Sequence, residues 1–319
     1  MPRLLIVKTS SMGDVVHCLP VVNDIRAHVP AVEIEWLAEE AFAEIPRMHP
    51  GVARVIPMAW RRWRRSLLDR RTRAEIRDLH RTLHDGAFDF VLDLQGLLKS
   101  ALFGLMTTGT RLGLDRKSAW EPLASLTYHR RFSVPPTWHA VDRYRQLAAQ
   151  AFDYTAGPGL DYGLSTPEPA PVWLPSSSFA VLLTATSRPE KLWPEADWAR
   201  LGQAFHDTQM LSVLPSGSAE EELRARRIAE KIPGSLVAPR MNLTNAAAVL
   251  GRACVVVGVD TGLLHLASGL GTPAVGIYCG SSPAENGVRA DTPHSNLGGP
   301  GLVPDLREVT QAVLAVARR

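Results

Sequence analysis

The sequence predicts an α/β protein built of two doubly wound parallel-sheet domains in tandem, facing a central cleft. Three observations carry this. The chain has 319 residues, too many for one ordinary core. Short runs rich in branched residues alternate with helical periodicity along both halves, the pattern of strand–helix–strand units. The two series are separated by TPEPAPVWLPSSS (166–178), whose four prolines mark a linker.

In the first series LLIV (4–7), EIEWLA (33–38), VARVIPM (52–58) and FDFVLDL (88–94) read as strands. Helical patterns lie near 15–28, 39–47, 72–84 and 98–107. In the second, FAVLLTA (179–185), MLSVLPS (210–216), SLVAP (235–239), CVVVGVD (254–260) and PAVGIY (273–278) are strands. Helical patterns fill 194–206, 219–230, 244–252 and 262–269. A last amphipathic helix starts at Pro304, with Leu306, Val309, Val313 and Val316 on one face. The expected domains are therefore 1–165 and 179–303, followed by a helical segment, 304–319. In such sheets ligands sit beyond the carboxyl ends of strands, where helices begin.

Composition narrows the class. At 45% apolar and 21% charged the chain is globular rather than disordered. A net charge of +3, from 35 basic and 32 acidic residues, names no partner, so the distribution of charge matters more. Cys18, Cys254 and Cys279 lie far apart without a CxxC pair, which fits buried thiols in a reducing cytoplasm. The apolar run in MPRLLIV is too short for a signal peptide, and no window has about 18 apolar residues to span a membrane.

Four constellations carry chemistry. KTSSMGDVVHCLP (8–20) follows the first strand. Gly13 permits a tight turn, and Asp14 falls at or near the helix start, where it suits either an N-cap worth about 1 kcal/mol or a general base kept ionised by the helix dipole. VVVGVDTGLLHLASGLGTP (255–273) runs a strand into Asp260, Thr261 and Gly262 at a helix mouth, an anion site suited to a diphosphate. His265 lies one turn further on, where a packed histidine bonded to a carbonyl is the ordinary alternative. TATSRPEKLWPEADW (184–198) sets Lys191 just before Pro194 at another helix start, where a lysine can meet phosphate. LPSGSAEEE (214–222) gives a third mouth with Glu221 early in its helix. Together the three mouths of the second half suggest a nucleotide-diphosphate site. The fourth constellation, residues 59–81, holds nine arginines against three acids. Arginine forks bind phosphate or carboxylate, and Trp60 and Trp63 suit a lipid headgroup interface. A solvated helix face and a nucleic-acid surface are the alternatives, the latter disfavoured by the near-neutral total charge and the lack of any nucleic-acid motif.

Other chemistries lack their signatures. GxGxxG and GxxxxGK[ST] do not occur, which argues against a nicotinamide enzyme and a P-loop NTPase. No Asp-x-Asp, HExxH or GxSxG is present, so neither a metal, a cofactor nor a hydrolase elbow is expected. His80 and His84 read as exposed helix residues.

KTSSMGDVVHCLP, DLQGLLKSAL (93–102), KLWPEADW (191–198) and VGVDTGLLHLASGLGTPAVGIY (257–278) closely resemble segments of the bacterial lipopolysaccharide heptosyltransferases, and the likeness runs over nearly the whole chain. SSMGD and RLGLDRKSAWEPLAS (111–125) are similar to the type I branch. The resemblance implies a GT-B fold, two Rossmann-like domains with 304–319 crossing back to pack on the first. It implies an ADP-heptose donor, Kdo2-lipid A as acceptor through its inner Kdo sugar, and inverting, metal-independent transfer by an enzyme peripheral to the cytoplasmic face of the inner membrane.

By the same resemblance Asp14 is the base. Thr186, Ser187 and Lys191 hold the donor diphosphate with the backbone of Thr261, Gly262 and Leu263. Asp260 meets heptose hydroxyls beside His265, Met241 lines the adenine pocket and Glu221 binds ribose. Lys8, Ser10, Arg61, Arg65, Gln95, His139 and Arg143 meet the acceptor's carboxylates and phosphate. The family's AREP is AWEP here, with Trp120 in the arginine's place and Arg116 and Lys117 nearby. The rival readings are a type II or other family member with a different core acceptor, a sugar-nucleotide epimerase of the same fold, and a non-catalytic protein that binds anionic lipid through residues 59–81.

Overall fold

The computed structural model describes residues 1–317. The chain divides into two units, Met1–Gly163 and Leu164–Arg319. Each contains a six-stranded sheet in which every paired strand is parallel.

The first sheet comprises β1 (Arg3–Val7), β2 (Glu33–Glu39), β3 (Arg54–Met58), β4 (Phe90–Asp93), β5 (Thr110–Leu114) and β6 (Arg130–Phe132), in the order β3-β2-β1-β4-β5-β6. Its central strands are continuous apolar runs because helices cover both faces. Leu4, Leu5, Ile6 and Val7 are all fully buried. The second sheet comprises β7 (Phe179–Leu183), β8 (Leu211–Leu214), β9 (Leu236–Val237), β10 (Val255–Val259), β11 (Ala274–Tyr278) and β12 (His294–Gly298), ordered β12-β11-β10-β7-β8-β9. Read from the other edge, this is the same order as the first. Each sheet therefore reverses direction once, between β1 and β4 and between β7 and β10. A doubly wound sheet opens its ligand crevice at that reversal, beyond the strands' carboxyl ends.

The expected doubly wound pair is present, and three strands and one long helix lie outside the expected pattern. β6 begins with two exposed arginines and β12 reads HSNLG, so neither edge strand has an apolar run to announce it. β5 carries Gly113, where a Cβ would stand 2.4 Å from the Tyr128 ring. The bare backbone lets that ring lie against the strand and reach Asp93, to which its hydroxyl donates at 2.8 Å. The unforeseen helix, Ala140–Phe152, packs against the helices Met12–Cys18 and Pro20–His28. The arginine-rich stretch is not one helix. A single turn, Trp60–Trp63, precedes the helix Arg70–Asp85, which Asp69 caps by accepting from the backbone of Arg71 and Thr72.

Two expectations are corrected. The C-terminal segment was expected to pack on the first domain. Instead Val309, Val313 and Val316 of the helix Leu306–Ala317 lie in the second unit's core with Ala180, Trp193 and Val275, so that apolar face is occupied there. Residues 318–319 of the segment lie outside the described residues. Trp60 and Trp63 were expected at a lipid surface. Trp63 is buried and donates to Glu75 at 2.6 Å, and Trp60 packs edge-on against Phe103, because their single turn stands over the apolar edge of the first sheet. The stretch 166–178 is tied to the second unit, where Arg252 donates to the Pro167 carbonyl at 2.9 Å. Among the described residues no helix is long and apolar enough to cross a membrane.

Candidate active site

At the β1/β4 reversal the chain leaves Val7, buries Lys8, and turns through residues 9–11 into the helix Met12–Cys18. Asp14 is the third residue of that helix and reaches back to its start. Its Oδ2 accepts from the Ser11 backbone at 3.0 Å and from the Ser11 hydroxyl at 2.7 Å. Asp14 is thus not the cap itself but its reciprocal partner. The other oxygen, Oδ1, accepts from the Tyr144 hydroxyl at 2.8 Å and lies 3.7 Å from Lys8 Nζ. Lys8 in turn donates to the Tyr144 oxygen at 2.7 Å. The Lys8 side chain is 3% exposed and that of Asp14 32%, so the carboxylate opens to solvent while its counter-charge stays inside.

Burial opposes the charge on Asp14. The Lys8 ammonium, the two Ser11 hydrogen bonds and nearby His17 outweigh it and hold the carboxyl well below the usual carboxylate range. Burial and the Asp14 charge push the Tyr144 phenol well above its ordinary value, so it stays a donor. The result is an ionised carboxylate, oriented from both sides, with one face free to meet a substrate hydroxyl.

β4 supplies the opposite wall. Gln95 Oε1 accepts from the Thr9 backbone and hydroxyl, each at 2.8 Å, and its Nε2 donates to the Ser10 carbonyl at 3.0 Å. Gln95 therefore holds the loop that carries Ser10. Lys99 donates to the Ser10 hydroxyl at 2.9 Å; burial, together with the neighbouring Arg61 and Lys8 charges, lowers its pKa despite the opposing pull of Glu39. Arg61 is exposed with its guanidinium over the Phe42 ring, and Arg65 is exposed one turn on. His139 caps the helix Ala140–Phe152, its ring 5.5 Å from that of His17. Arg143 is buried, donates to the Ser118 carbonyl at 2.9 Å, and lies 4.7 Å from the centre of the Trp120 ring. Trp120 thus covers Arg143 with an aromatic face.

The second unit repeats the arrangement at the β7/β10 reversal. Asp260 follows β10, and its Oδ2 accepts from Lys191 at 2.5 Å and from the Ser281 hydroxyl at 2.6 Å. His265 Nε2 stands 3.7 Å from Oδ1. The Thr186 hydroxyl donates to the Asp260 carbonyl at 2.8 Å. Burial again opposes ionisation, and nearby His265 with the hydrogen bonds from Lys191 and Ser281 overrides it and holds the Asp260 carboxyl well below its usual range. Thr261 caps the helix Gly262–Gly269 with Leu263 in its first turn, so backbone N–H groups and one ammonium converge where an anion can sit. Ser187 is exposed beside Thr186. Glu221 accepts from the Gly217 backbone at 2.7 Å and so closes the third mouth. Met241 is half-buried just before the helix Leu243–Leu250. Among the described residues no three His, Cys, Asp or Glu side chains converge as a metal set.

Tyr144, Lys99 and Ser281 were not singled out from sequence. Ser281 follows the carboxyl end of β11 in CGSSPAEN, where the strand-end rule points. Lys99 lies inside a quoted motif. Tyr144 carries no local signal, since a tyrosine in an amphipathic helix reads as core.

Known proteins resemble this chain in sequence and in fold. The model of glycosyltransferase family 9 (heptosyltransferase) matches residues 76–297. Lipopolysaccharide heptosyltransferase 1 of Pseudomonas aeruginosa is 43% identical over 288 residues, 90% of this chain and 81% of that protein. The structure of E. coli heptosyltransferase WaaC with ADP superposes with a TM-score of 0.90 at 37% identity, covering 98% of this chain and 99% of that one. WaaC with ADP-2-deoxy-2-fluoro heptose gives 0.84, covering 98% of each.

Proposed function

Because the chain belongs to glycosyltransferase family 9, the heptosyltransferases, we propose that it moves L-glycero-D-manno-heptose from ADP-heptose to the inner Kdo of Kdo2-lipid A. The first unit is assigned the acceptor and the second the donor. The observation that carries this is the carboxylate of Asp14, ionised, partly exposed and oriented by Ser11 and Tyr144. A relative of 43% identity bears the heptosyltransferase 1 name, and the WaaC structures hold ADP and a fluorinated ADP-heptose.

In the proposed reaction the acceptor hydroxyl attacks the anomeric carbon as the bond from that carbon to the diphosphate oxygen breaks. Its proton passes to Asp14, and ADP departs. A single displacement inverts the anomeric centre. Positioned proton transfer of this kind supplies roughly 10²–10⁴-fold. The departing diphosphate gathers negative charge against Lys191 and the N–H groups of Thr261, Gly262 and Leu263, which stabilise it without a metal. An ammonium has three donors, so Lys191 can meet phosphate while it keeps Asp260 in place for the heptose hydroxyls. His265 supports Asp260, Thr186 and Ser187 add hydroxyls, and Glu221 and Met241 face ribose and adenine.

Lys8, Ser10, Arg61, Arg65, His139 and Arg143 form the acceptor side, with Gln95 acting through the loop it holds. Their cationic character suits Kdo carboxylates and phosphate. A lipid acceptor places the enzyme at the cytoplasmic face of the inner membrane as a peripheral protein.

Purified chain mixed with ADP-heptose and Kdo2-lipid A should yield one heptosylated product by mass. Product only from an acceptor that already carries heptose would assign it to the type II branch, and hydrolysis or epimerisation of donor without transfer would refute the reading.

A further inference from the structure

The first unit exposes an apolar surface on the helix Leu98–Gly104, whose Phe103 meets Trp60 of the arginine-rich stretch. In the helix Leu98–Gly104 and its cap, Leu98, Leu102 and Leu105 recur four and three residues apart, on one face. Beside it runs the 3₁₀ turn Pro122–Thr127. With about three residues per turn, Leu123 and Leu126 also share a face. The two elements pack on each other through Ala101 and Ala124, with Tyr128 beneath. Ala101 flanks the leucine stripe of its helix, so Leu123 and Leu126 lie alongside the three leucines of that stripe. All five leucines are between 40% and 67% exposed.

The charge near them in the sequence is mainly basic, with exposed Glu121 beside Leu98 the exception. Residues 94–138 hold six lysines and arginines against two acids, Asp115 and Glu121. Both acids are engaged in the fold. Asp115 accepts from the Ser118 backbone at 2.8 Å and Glu121 from the Leu98 backbone at 2.5 Å. Arg131 is exposed with its Nε held on the Ser125 carbonyl at 2.7 Å, which fixes a cation at the edge of the leucines.

We propose that this five-leucine face docks the protein on an anionic phospholipid bilayer, the leucines entering the headgroup boundary and the basic rim meeting lipid phosphates. Leucine side chains with flanking cations are what such an interface binds. The proposal rests on the reading above that the acceptor is a lipid, and it replaces Trp60 and Trp63, which the fold turns inward, as the membrane contact.

The test is sedimentation of the full chain with vesicles of phosphatidylcholine alone or with added phosphatidylglycerol. Wild type should partition onto the anionic vesicles and be weakened by salt. The double variant Leu102→Glu/Leu126→Glu should lose about tenfold or more of that partition. It should keep wild-type transfer to a water-soluble, deacylated acceptor, because neither leucine belongs to the site. Leu102→Ser/Leu126→Ser repeats the test without added charge. Equal partition of wild type and both variants, or a wild type that ignores anionic vesicles, would overturn the proposal. So would a wild-type dimer that the substitutions dissolve, which would make a second copy the occupant. Vesicle binding that the leucine substitutions weaken, in a chain that transfers no heptose, would support this surface and refute the assigned activity.

Discussion

The Tyr144 hydroxyl donates to Asp14 Oδ1 at 2.8 Å, linking residues 130 positions apart. The Tyr144 hydroxyl oxygen accepts from Lys8, so one phenol orients the carboxylate and bridges it to its counter-charge. Tyr144→Phe removes both bonds with little change of shape. A donor to a carboxylate favours its charged form, so the acid limb of kcat/KM should move to higher pH and kcat should fall about tenfold. Donor affinity should not change. An unaltered pH profile would show that Tyr144 only fills space.

Lys8→Met tests the charge itself. In the wild type the Asp14 carboxyl is held well below its usual range, so activity should stay flat as pH falls through about 5. Without the ammonium, burial faces less opposition and the carboxyl rises. The proton then binds at higher pH, and kcat/KM should begin to fall within the measurable range. The same sign governs stability: the depressed carboxyl favours the folded state at neutral pH and loses that contribution as pH falls. A pH–rate series on both proteins checks it.

Lys191→Met removes the cation paired with Asp260. Charge-assisted hydrogen bonds to phosphate are among the stronger contacts, so ADP-heptose affinity should drop about 10- to 100-fold by titration calorimetry. Ser281→Ala, which takes one donor from Asp260 and leaves Lys191, should weaken it less. Unchanged affinity in Lys191→Met would place the diphosphate elsewhere.

Trp193 shows what the KLWPEADW motif does for the fold. Its ring is fully buried, edge-on to Trp198 at 5.0 Å, and its Nε1 donates to the Pro304 carbonyl at 2.9 Å. Trp193→Ala should cost about 3–5 kcal/mol, read as a lower denaturant midpoint. A shift smaller than that of a surface substitution would contradict the packing described.

Both site mouths are legible in the sequence because each follows a continuous apolar strand and opens a helix with Gly, Ser, Thr or Asp. Local chemistry marks them, as at SSMGD and VDTG. The partners that tune them are not legible, since Tyr144 and Ser281 reach their carboxylates only once the sheets are wound. β6 and β12 escape notice for a different reason: edge strands with polar faces have no apolar pattern. The tryptophans of residues 59–81 mislead because interleaving with arginine looks like an interface, whereas the turn Trp60–Trp63 buries Trp63 and lays half-buried Trp60 against the core.

The account stands on Asp14 as the base. The measurement that tests it most directly is turnover of ADP-heptose and Kdo2-lipid A by wild type and Asp14→Asn, followed by mass of the lipid product, with donor affinity measured in parallel. The account predicts heptosylated product from wild type, turnover lower by about 10²–10⁴-fold in Asp14→Asn, and equal donor affinity. Undiminished product from Asp14→Asn would contradict it.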